Sequence, residues 1–268
     1  MLKSFLKKLL PPILLDIYKT LKKNQNSLTG PFPYNEIPDE NVWIGNSYKS
    51  HIKSKVRSID FSEKYKYDYL DISTLYLNSI TEEGRSIKVL DWAGGTGRVW
   101  FNIYKNIYKP EKIEWNVVDK KFLMEMGENH SKQNKIPIRF FENIDDLPNT
   151  NYDIIYINSS IQYLENFQKL LSKLLKKKPK HIIFNRLLIS EGNLNLTFRQ
   201  KIGERVTPCT FISEKELIQF LHDNSFKPIF NSPCWGQCKY LSSILSKKSK
   251  QSLGRYFSKD IIFRKISS

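Results

Sequence analysis

The sequence predicts an α/β fold with a doubly wound, mostly parallel sheet, and three observations predict it. Short apolar runs alternate with helical patterns from residue 87 onward. The first run ends in an acid and passes into a glycine-rich turn, Asp91-Trp-Ala-Gly-Gly-Thr-Gly97. The next ends in a second acid, Asp119, 22 residues beyond Gly97.

Residues 1–23 place Leu2, Phe5, Leu6, Leu9 and Leu10 on one helical face, with Lys3, Lys7 and Lys8 largely off it. The pattern breaks at Pro11-Pro12, where a helix loses a donor and meets a clash. Two readings stand for this basic amphipathic segment: peripheral contact with a membrane, or a helix packed on the domain. Residues 24–47, rich in Asn, Pro and Gly, read as a linker or irregular cap. Glu63 to Ile80 has helical spacing and stops before Gly84.

The alternation then begins. Ile87–Trp92 reads as a buried strand, Arg98–Tyr108 as a helix, Ile113–Val118 as a strand and Phe122–Lys132 as a helix. Ile138–Phe141 and Tyr152–Ile157 read as strands, Leu164–Lys176 as a helix and His181–Phe184 as a strand. Ser213 to Asp223 is a helix with Ser213 as N-cap and Glu216 completing a capping box. Two further strands are expected at Pro228–Phe230 and Ile261–Arg264. The implied organisation is an N-terminal helix and cap over residues 1–60 and an α/β domain over 61–268. An irregular insert at about 190–210 reads as a segment that closes over substrate. A basic loop is expected at about 241–258, with Lys247-Lys-Ser-Lys250 solvated.

Composition bounds the function. With 268 residues, 40% hydrophobic and 13% aromatic, the chain can bury a sizeable core, which excludes global disorder. Its net charge of +16 favours anionic partners, although general Lys and Asn enrichment also accounts for such an excess. Three cysteines do not make a disulfide framework. Cys234 and Cys238 lack further ligands at zinc spacing, so no metal is expected. No run approaches the ~20 apolar residues that span a bilayer. The expected location is cytoplasmic, with peripheral contact at the inner membrane face as the alternative.

The glycine turn carries the chemistry. In an open α/β sheet, ligands bind beyond the carboxyl ends of the strands. A dinucleotide fingerprint wants a third small residue where this chain has Trp100, and Asp91 would repel a pyrophosphate. S-adenosylmethionine carries a cationic amine and a sulfonium, which an acid suits.

Val89-Leu-Asp-Trp-Ala-Gly-Gly-Thr-Gly97 resembles motif I of class I S-adenosylmethionine-dependent methyltransferases. The resemblance implies a Rossmann-like fold, a mostly parallel sheet with an antiparallel last strand. It implies that Asp91 serves the methionine amine and that Ala93, Gly94, Gly95 and Gly97 lie along the cofactor. Asp119 then binds both ribose hydroxyls, at close to the ~20-residue spacing of a ribose-binding acid. Asn143 takes the adenine-contacting position, where the family has Asp, and Ile144 packs on the ring. Asp145 and Asp146 read as a solvated turn. Residues 85–190 carry this resemblance best. Pro11-Pro12-Ile-Leu, Trp43-Ile-Gly-Asn-Ser-Tyr48, Asn158-Ser-Ser-Ile-Gln-Tyr163 and Asn185-Arg186 resemble a narrower group of methyltransferases encoded among bacterial surface-polysaccharide genes.

Asn158 joins the cofactor-binding set, because its strand end faces the methyl group. No Asn-Pro-Pro-Tyr follows there, which argues against amide methylation. Gln162 and Tyr163 either orient an acceptor or cap and pack the next helix. Arg186 either clamps an anion or pairs with a neighbouring acid. His51, His130, His181 and His222 read as structural or surface residues, and no catalytic base is legible. The leading expectation is O-methylation of a glycan or other small, including anionic, acceptor. Methylation of RNA, with the lysines as a phosphate track, is the second reading. A non-catalytic membrane-associated scaffold of the same fold is the third.

Overall fold

The computed structural model describes residues 26–57, 72–81, 84–148, 151–202, 204–245, 247–255 and 257–266. The amphipathic segment 1–23 and the first half of the helix expected from Glu63 lie outside them. Strands and helices follow in chain order: β1 (Asn26–Thr29), α1 (Asn46–Arg57), α2 (Ile72–Thr81), β2 (Ile87–Trp92), α3 (Arg98–Ile103) and β3 (Ile113–Val118). Then come α4 (Lys121–Asn134), β4 (Arg139–Phe141), β5 (Ile154–Asn158), α5 (Phe167–Leu175), β6 (His181–Ser190), β7 (Leu196–Ile202) and β8 (Arg205–Ser213). The chain ends with α6 (Glu214–Asp223), β9 (Phe226–Pro233), α7 (Trp235–Ile244), α8 (Lys247–Leu253) and β10 (Ser258–Lys265).

The strands form one sheet in the order β1-β7-β8-β6-β5-β2-β3-β4, with β10 added to β6 and β9 to β10. The pairs β2–β3, β2–β5, β3–β4 and β5–β6 are parallel. β10 is antiparallel to β6, as expected of the last strand, and β9 is antiparallel to β10. Strands buried on both faces read as continuous apolar runs. Neighbouring residues here therefore serve different layers. Leu90, Ile155 and Phe184 pack with Leu171, Leu217 and Leu221 on one side. Val89, Tyr156 and Ile183 pack with Leu77, Trp100 and Phe101 on the other. The sheet is thus covered by helices on both faces.

Strand β6 forks the sheet. His181–Phe184 and Leu187–Leu188 pair with β10 on either side of an irregularity at Asn185 and Arg186, and the last two residues, Ile189 and Ser190, pair with β8. Arg186 sits at the fork with φ 50°, and its backbone N–H donates to Asp260 Oδ1 at 2.7 Å. Beyond the fork, the segment expected to be irregular at 190–210 is instead a regular hairpin, β7–β8, extended by β1. Pairing on both sides overrides its Asn, Gly and Pro content, and Phe198, Cys209 and Phe211 fill a third core. The expected basic loop is also ordered differently. Residues Lys247–Leu253 are helical, with Leu253 fully buried and Ser249 Oγ bonded to Gly30 O at 3.2 Å. Ser213 does cap α6, accepting from Glu216 N. The other half of the box is replaced, because Ser213 N donates to Asn195 Oδ1 while Glu216 holds Gln168 and Asn195. No helix among the described residues is long and apolar enough to cross a membrane.

Candidate active site

At the carboxyl end of β2 the chain turns through three left-handed residues, Ala93 (φ 52°), Gly95 (φ 64°) and Gly97 (φ 74°). Glycine adopts this conformation freely, whereas Ala93 costs about 1–2 kcal/mol. Its N–H bond to Val118 O at 2.8 Å helps hold it there. Gly94 is required for space instead. A Cβ at that position would collide with the Asp91 carboxylate directly beneath it. At Gly97 a Cβ would collide with Ile138.

Asp91 is fully buried. Its Oδ2 accepts from Trp115 Nε1 at 3.1 Å, and its Oδ1 has no partner among the described residues. Burial pushes its pKa up to about 8, against the Trp115 hydrogen bond and with help from the nearby Asp119 charge. Trp100 explains itself here. It stacks on Trp115 at 4.9 Å and 12° and donates to Pro137 O. The bulky residue where a dinucleotide fingerprint wants a small one thus backs the ring that holds Asp91.

Asp119 ends β3 and ties two strand ends together. Its Oδ2 accepts from Gly95 N and its Oδ1 from Lys120 N, both at 2.7 Å. Burial raises its pKa, opposed by those two backbone donors. A carboxylate oxygen has two lone pairs, so each retains one for a further donor. The N-terminal cap comes to this point. Lys120 Nζ reaches Asn41 Oδ1 at 3.2 Å, and Lys49 of α1 lies over the Phe122 ring at 5.3 Å. The Tyr48 hydroxyl is pushed up to about 12, first by burial and then by the Asp119 charge.

The adenine-side positions differ in detail from expectation. Ile144 is 7% exposed and packs with Leu90, Val118 and Leu147, so little of it is open to a ring. Asn143 is exposed, and its N–H and Nδ2 both donate to Asp146 Oδ2. Asp146 therefore closes the turn, while Asp145 pairs with Lys173 at 2.7 Å.

At the ends of β5 and β6 lies a second group. Arg186 Nε and Nη2 both donate to Asn158 Oδ1, at 3.0 and 2.8 Å. The guanidinium is thus turned onto an amide, and the Arg186 backbone N–H meets Asp260. Asn185 Nδ2 donates to Tyr156 OH at 2.7 Å. In the following turn Gln162 is buried, and its Nε2 donates to Ser159 Oγ at 3.1 Å. Gln162 does not cap α5; Asn166 does. Burial holds the Tyr163 hydroxyl well above the ordinary phenol range, with the Gln162 and Gln200 side chains opposing the shift. Ser160 Oγ, Gln162 Oε1 and Gln200 Oε1 are buried without partners among the described residues.

An aromatic roof covers this group. The Trp43 ring meets Tyr163 edge-on at 4.6 Å and Tyr48 at 5.3 Å. It is anchored beside the hairpin, where Val206 N donates to Glu40 Oε2 at 2.6 Å and Thr207 Oγ1 to Asp39 Oδ1 at 3.1 Å. Trp43, Tyr48, Trp115 and Gln200 are site residues whose roles the sequence did not show. The pair of aromatics flanking Gly45 in a Pro- and Asn-rich stretch was the available signal for the first two. His181 lies at the far end of β6, against Tyr76, with its pKa lowered to about 4 by burial and by Arg85 and Arg264. The three cysteines are free thiols.

No family model and no curated protein sequence matches the chain. Solved structures do. One is the 1,6-didemethyltoxoflavin-N1-methyltransferase of Burkholderia thailandensis with bound 1,6-didemethyltoxoflavin and S-adenosylhomocysteine. That likeness covers 90% of this chain and 94% of that one, with a TM-score of 0.52 and 14% identity. A second is the O-methyltransferase of a trans-AT PKS multienzyme from Brevibacillus brevis in complex with S-adenosyl-L-homocysteine, covering 72% and 71% at a TM-score of 0.51 and 15% identity. A third is the 4+2 cyclase SpnF, covering 74% and 82% at a TM-score of 0.51 and 11% identity. At these identities the likeness speaks for the fold, and a cyclase shares it with two methyltransferases. The chain has the Rossmann-like fold of these methyltransferases.

Proposed function

We propose that the protein is an S-adenosylmethionine-dependent methyltransferase that methylates a hydroxyl of a glycan or other small acceptor. One observation carries the reading. A fully buried carboxylate, Asp91, keeps an unpartnered oxygen beneath a glycine that leaves no room for a side chain. An isolated buried charge is costly unless it is paired. A cationic amine is the partner this acid lacks, so the site fits the methionine end of the cofactor. Asp119 fits the ribose, with one lone pair of each oxygen available for two adjacent hydroxyls.

Bound S-adenosylmethionine supplies an electrophilic methyl carbon on a sulfonium. The chain's own residues bind and orient. Asp91 and the turn Ala93–Gly97 hold the amino-acid end, and Asp119 holds the ribose. Asn143 and Ile144 border the adenine, the former with its amide already tied to Asp146. Asn158 faces the reacting centre with its orientation fixed by Arg186. Gln162, Gln200 and Tyr163 are the polar groups available to an acceptor, beneath the Trp43 ring. Positioning of this kind supplies much of the rate of an in-line displacement. The role in surface-polysaccharide synthesis rests on the resemblance of the Trp43–Tyr48 and Asn158–Tyr163 segments.

Calorimetry with S-adenosylmethionine on wild type and Asp119→Ala tests the reading. Micromolar binding that the substitution abolishes supports it. A folded wild type that binds no cofactor overturns it.

A further inference from the structure

A group of bases lies at the edge of the sheet opposite the candidate active site, where the parallel strands begin. The register staggers that edge by two residues at β2, where Val89 rather than Ile87 lies opposite Ile154. Ile87 pairs with Ile113, Ile154 with His181, His181 with Arg264 and Arg264 with Lys227. Five of the six adjacent strands are headed or ended there by a base: Lys112 before β3, Arg85 before β2, Lys180 before β6, Lys265 at the end of β10 and Lys227 in β9. Six strands at ~4.8 Å spacing make a row about 24 Å long.

The run Lys176–Lys178 lies against this row. Tyr152 N bonds to Lys177 O at 3.0 Å, and Lys265 N bonds to Lys180 O at 2.8 Å. Two acids lie level with these residues: Asp153, held by Lys180 at 2.8 Å, and Glu114, held by Arg139 at 3.1 Å. Glu111 and Asp223 also belong to this end of the sheet, and Glu82 and Glu83 lie outside the described residues. Burial first, and then Arg85, Arg264 and Lys180 against Asp153, push the His181 pKa down.

Two apolar side chains are exposed on the same edge. Ile266 follows Lys265 and is 41% exposed. Tyr108, in the connection from α3 to β3, is 71% exposed with Lys109 Nζ 5.2 Å from its ring. A basic edge with a protruding aliphatic and a tyrosine, and no groove between its bases, suits an anionic surface better than a channel that tracks a nucleic-acid strand.

We infer that the strand-start edge, formed by Lys176–Lys178, Lys180, Lys265 and Ile266, docks the protein on an anionic lipid surface and leaves the glycine loop facing away from it. The inference is independent of the methyltransferase reading.

The test is sedimentation of the full-length protein with vesicles of phosphatidylcholine alone or with about one-third phosphatidylglycerol. An edge variant, Lys176→Glu, Lys178→Glu and Lys265→Glu, is compared with a control of equal charge change, Lys215→Glu, Lys239→Glu and Lys250→Glu. Wild type should bind the anionic vesicles, lose binding with added salt and ignore the neutral ones. The edge variant should bind at least about tenfold more weakly than the control. Ile266→Ser should weaken binding without changing charge. Unchanged thermal melting confirms that each variant is folded. Equal loss in edge and control variants would overturn the proposal and assign the effect to net charge. So would loss of bulk RNA binding by the edge variant with vesicle binding intact.

Discussion

The two halves of the candidate site are built from different materials. The cofactor half is backbone and two carboxylates, supplied by β2, its turn and the end of β3, all within 29 residues of sequence from Asp91 to Asp119. The acceptor half is side chains brought from four distant places: Trp43 and Tyr48 from the cap, Gln162 and Tyr163 from the turn after β5, Arg186 from the fork of β6 and Gln200 from the hairpin. The first half offers fixed acceptors, two carboxylates, of the kind an amine and ribose hydroxyls need. The second has three buried polar atoms unpartnered among the described residues, where the first has Asp91 Oδ1. Buried unpaired groups cost about 1–3 kcal/mol each, so this half carries a standing penalty that a bound acceptor can relieve.

If the division is real, substitutions should separate cofactor affinity from acceptor affinity. The largest effect is expected at Asp119. Removing both of its charge-assisted acceptors in Asp119→Ala should weaken S-adenosylmethionine roughly hundredfold or more by calorimetry. A change under threefold would take Asp119 out of the cofactor half. Gly94→Ala should come next. The new methyl meets the Asp91 carboxylate, so the protein should lose about 1–3 kcal/mol in denaturant melts together with cofactor binding.

Acidity gives a third test, confined to the cofactor half. Asp91 has its folded pKa raised to about 8, above its ordinary unfolded value of 3.8. Its contribution to stability is therefore fully present below about pH 4 and is lost as pH rises through about 8. Asp91→Asn carries no such titration. Thermal melts of the unliganded proteins at pH 5, 6.5 and 8 should show the variant gaining on wild type as pH increases. Cofactor affinity should go the other way in wild type, strengthening up to about pH 8 as the carboxylate ionises. Parallel pH curves for the two proteins would show that Asp91 is not the titrating group.

Two smaller effects sharpen the acceptor half. Trp43→Ala should raise the acceptor KM about tenfold while cofactor affinity stays within about twofold, since removing one aromatic contact costs about 0.5–1.5 kcal/mol beyond its buried area. Equal losses of both affinities would make the roof a shared element. Arg186→Ala should cost about 1 kcal/mol of stability through its two bonds to Asn158. It should not change the preference between neutral and anionic acceptors, because the guanidinium is turned onto that amide. A selective loss of anionic acceptors would restore Arg186 as a clamp.

The same contrast explains what was legible in the sequence. The alternation of elements, the glycine turn and the two strand-end acids could be read because each depends on short-range chemistry. Backbone sterics fix where Gly95 and Gly97 are needed, and an apolar run ending in an acid marks a strand that reaches the ligand edge. The capping serine of α6 was legible for the same reason, although its partner was not, because Asn195 of the hairpin displaced Glu216. The hairpin itself was missed. Its Asn, Gly and Pro content reads as loop, and only pairing with β1 and β6 makes it a strand pair. The run at Lys247 was misread in the same way, since the burial of Ser249 and Leu253 comes from packing on β1 and β6 and leaves no periodic trace in seven residues.

The sequence by itself determined the fold class, the succession of central strands and helices along the chain and the two acids that suit a cationic, ribose-bearing cofactor. The tertiary structure decided that Trp115 holds Asp91, that Arg186 faces Asn158 and that Trp43 packs on Tyr163. Those contacts join residues 24 to 120 positions apart, and such pairs are chosen by packing and by the need to satisfy buried polar groups, which neighbouring residues in a sequence do not encode.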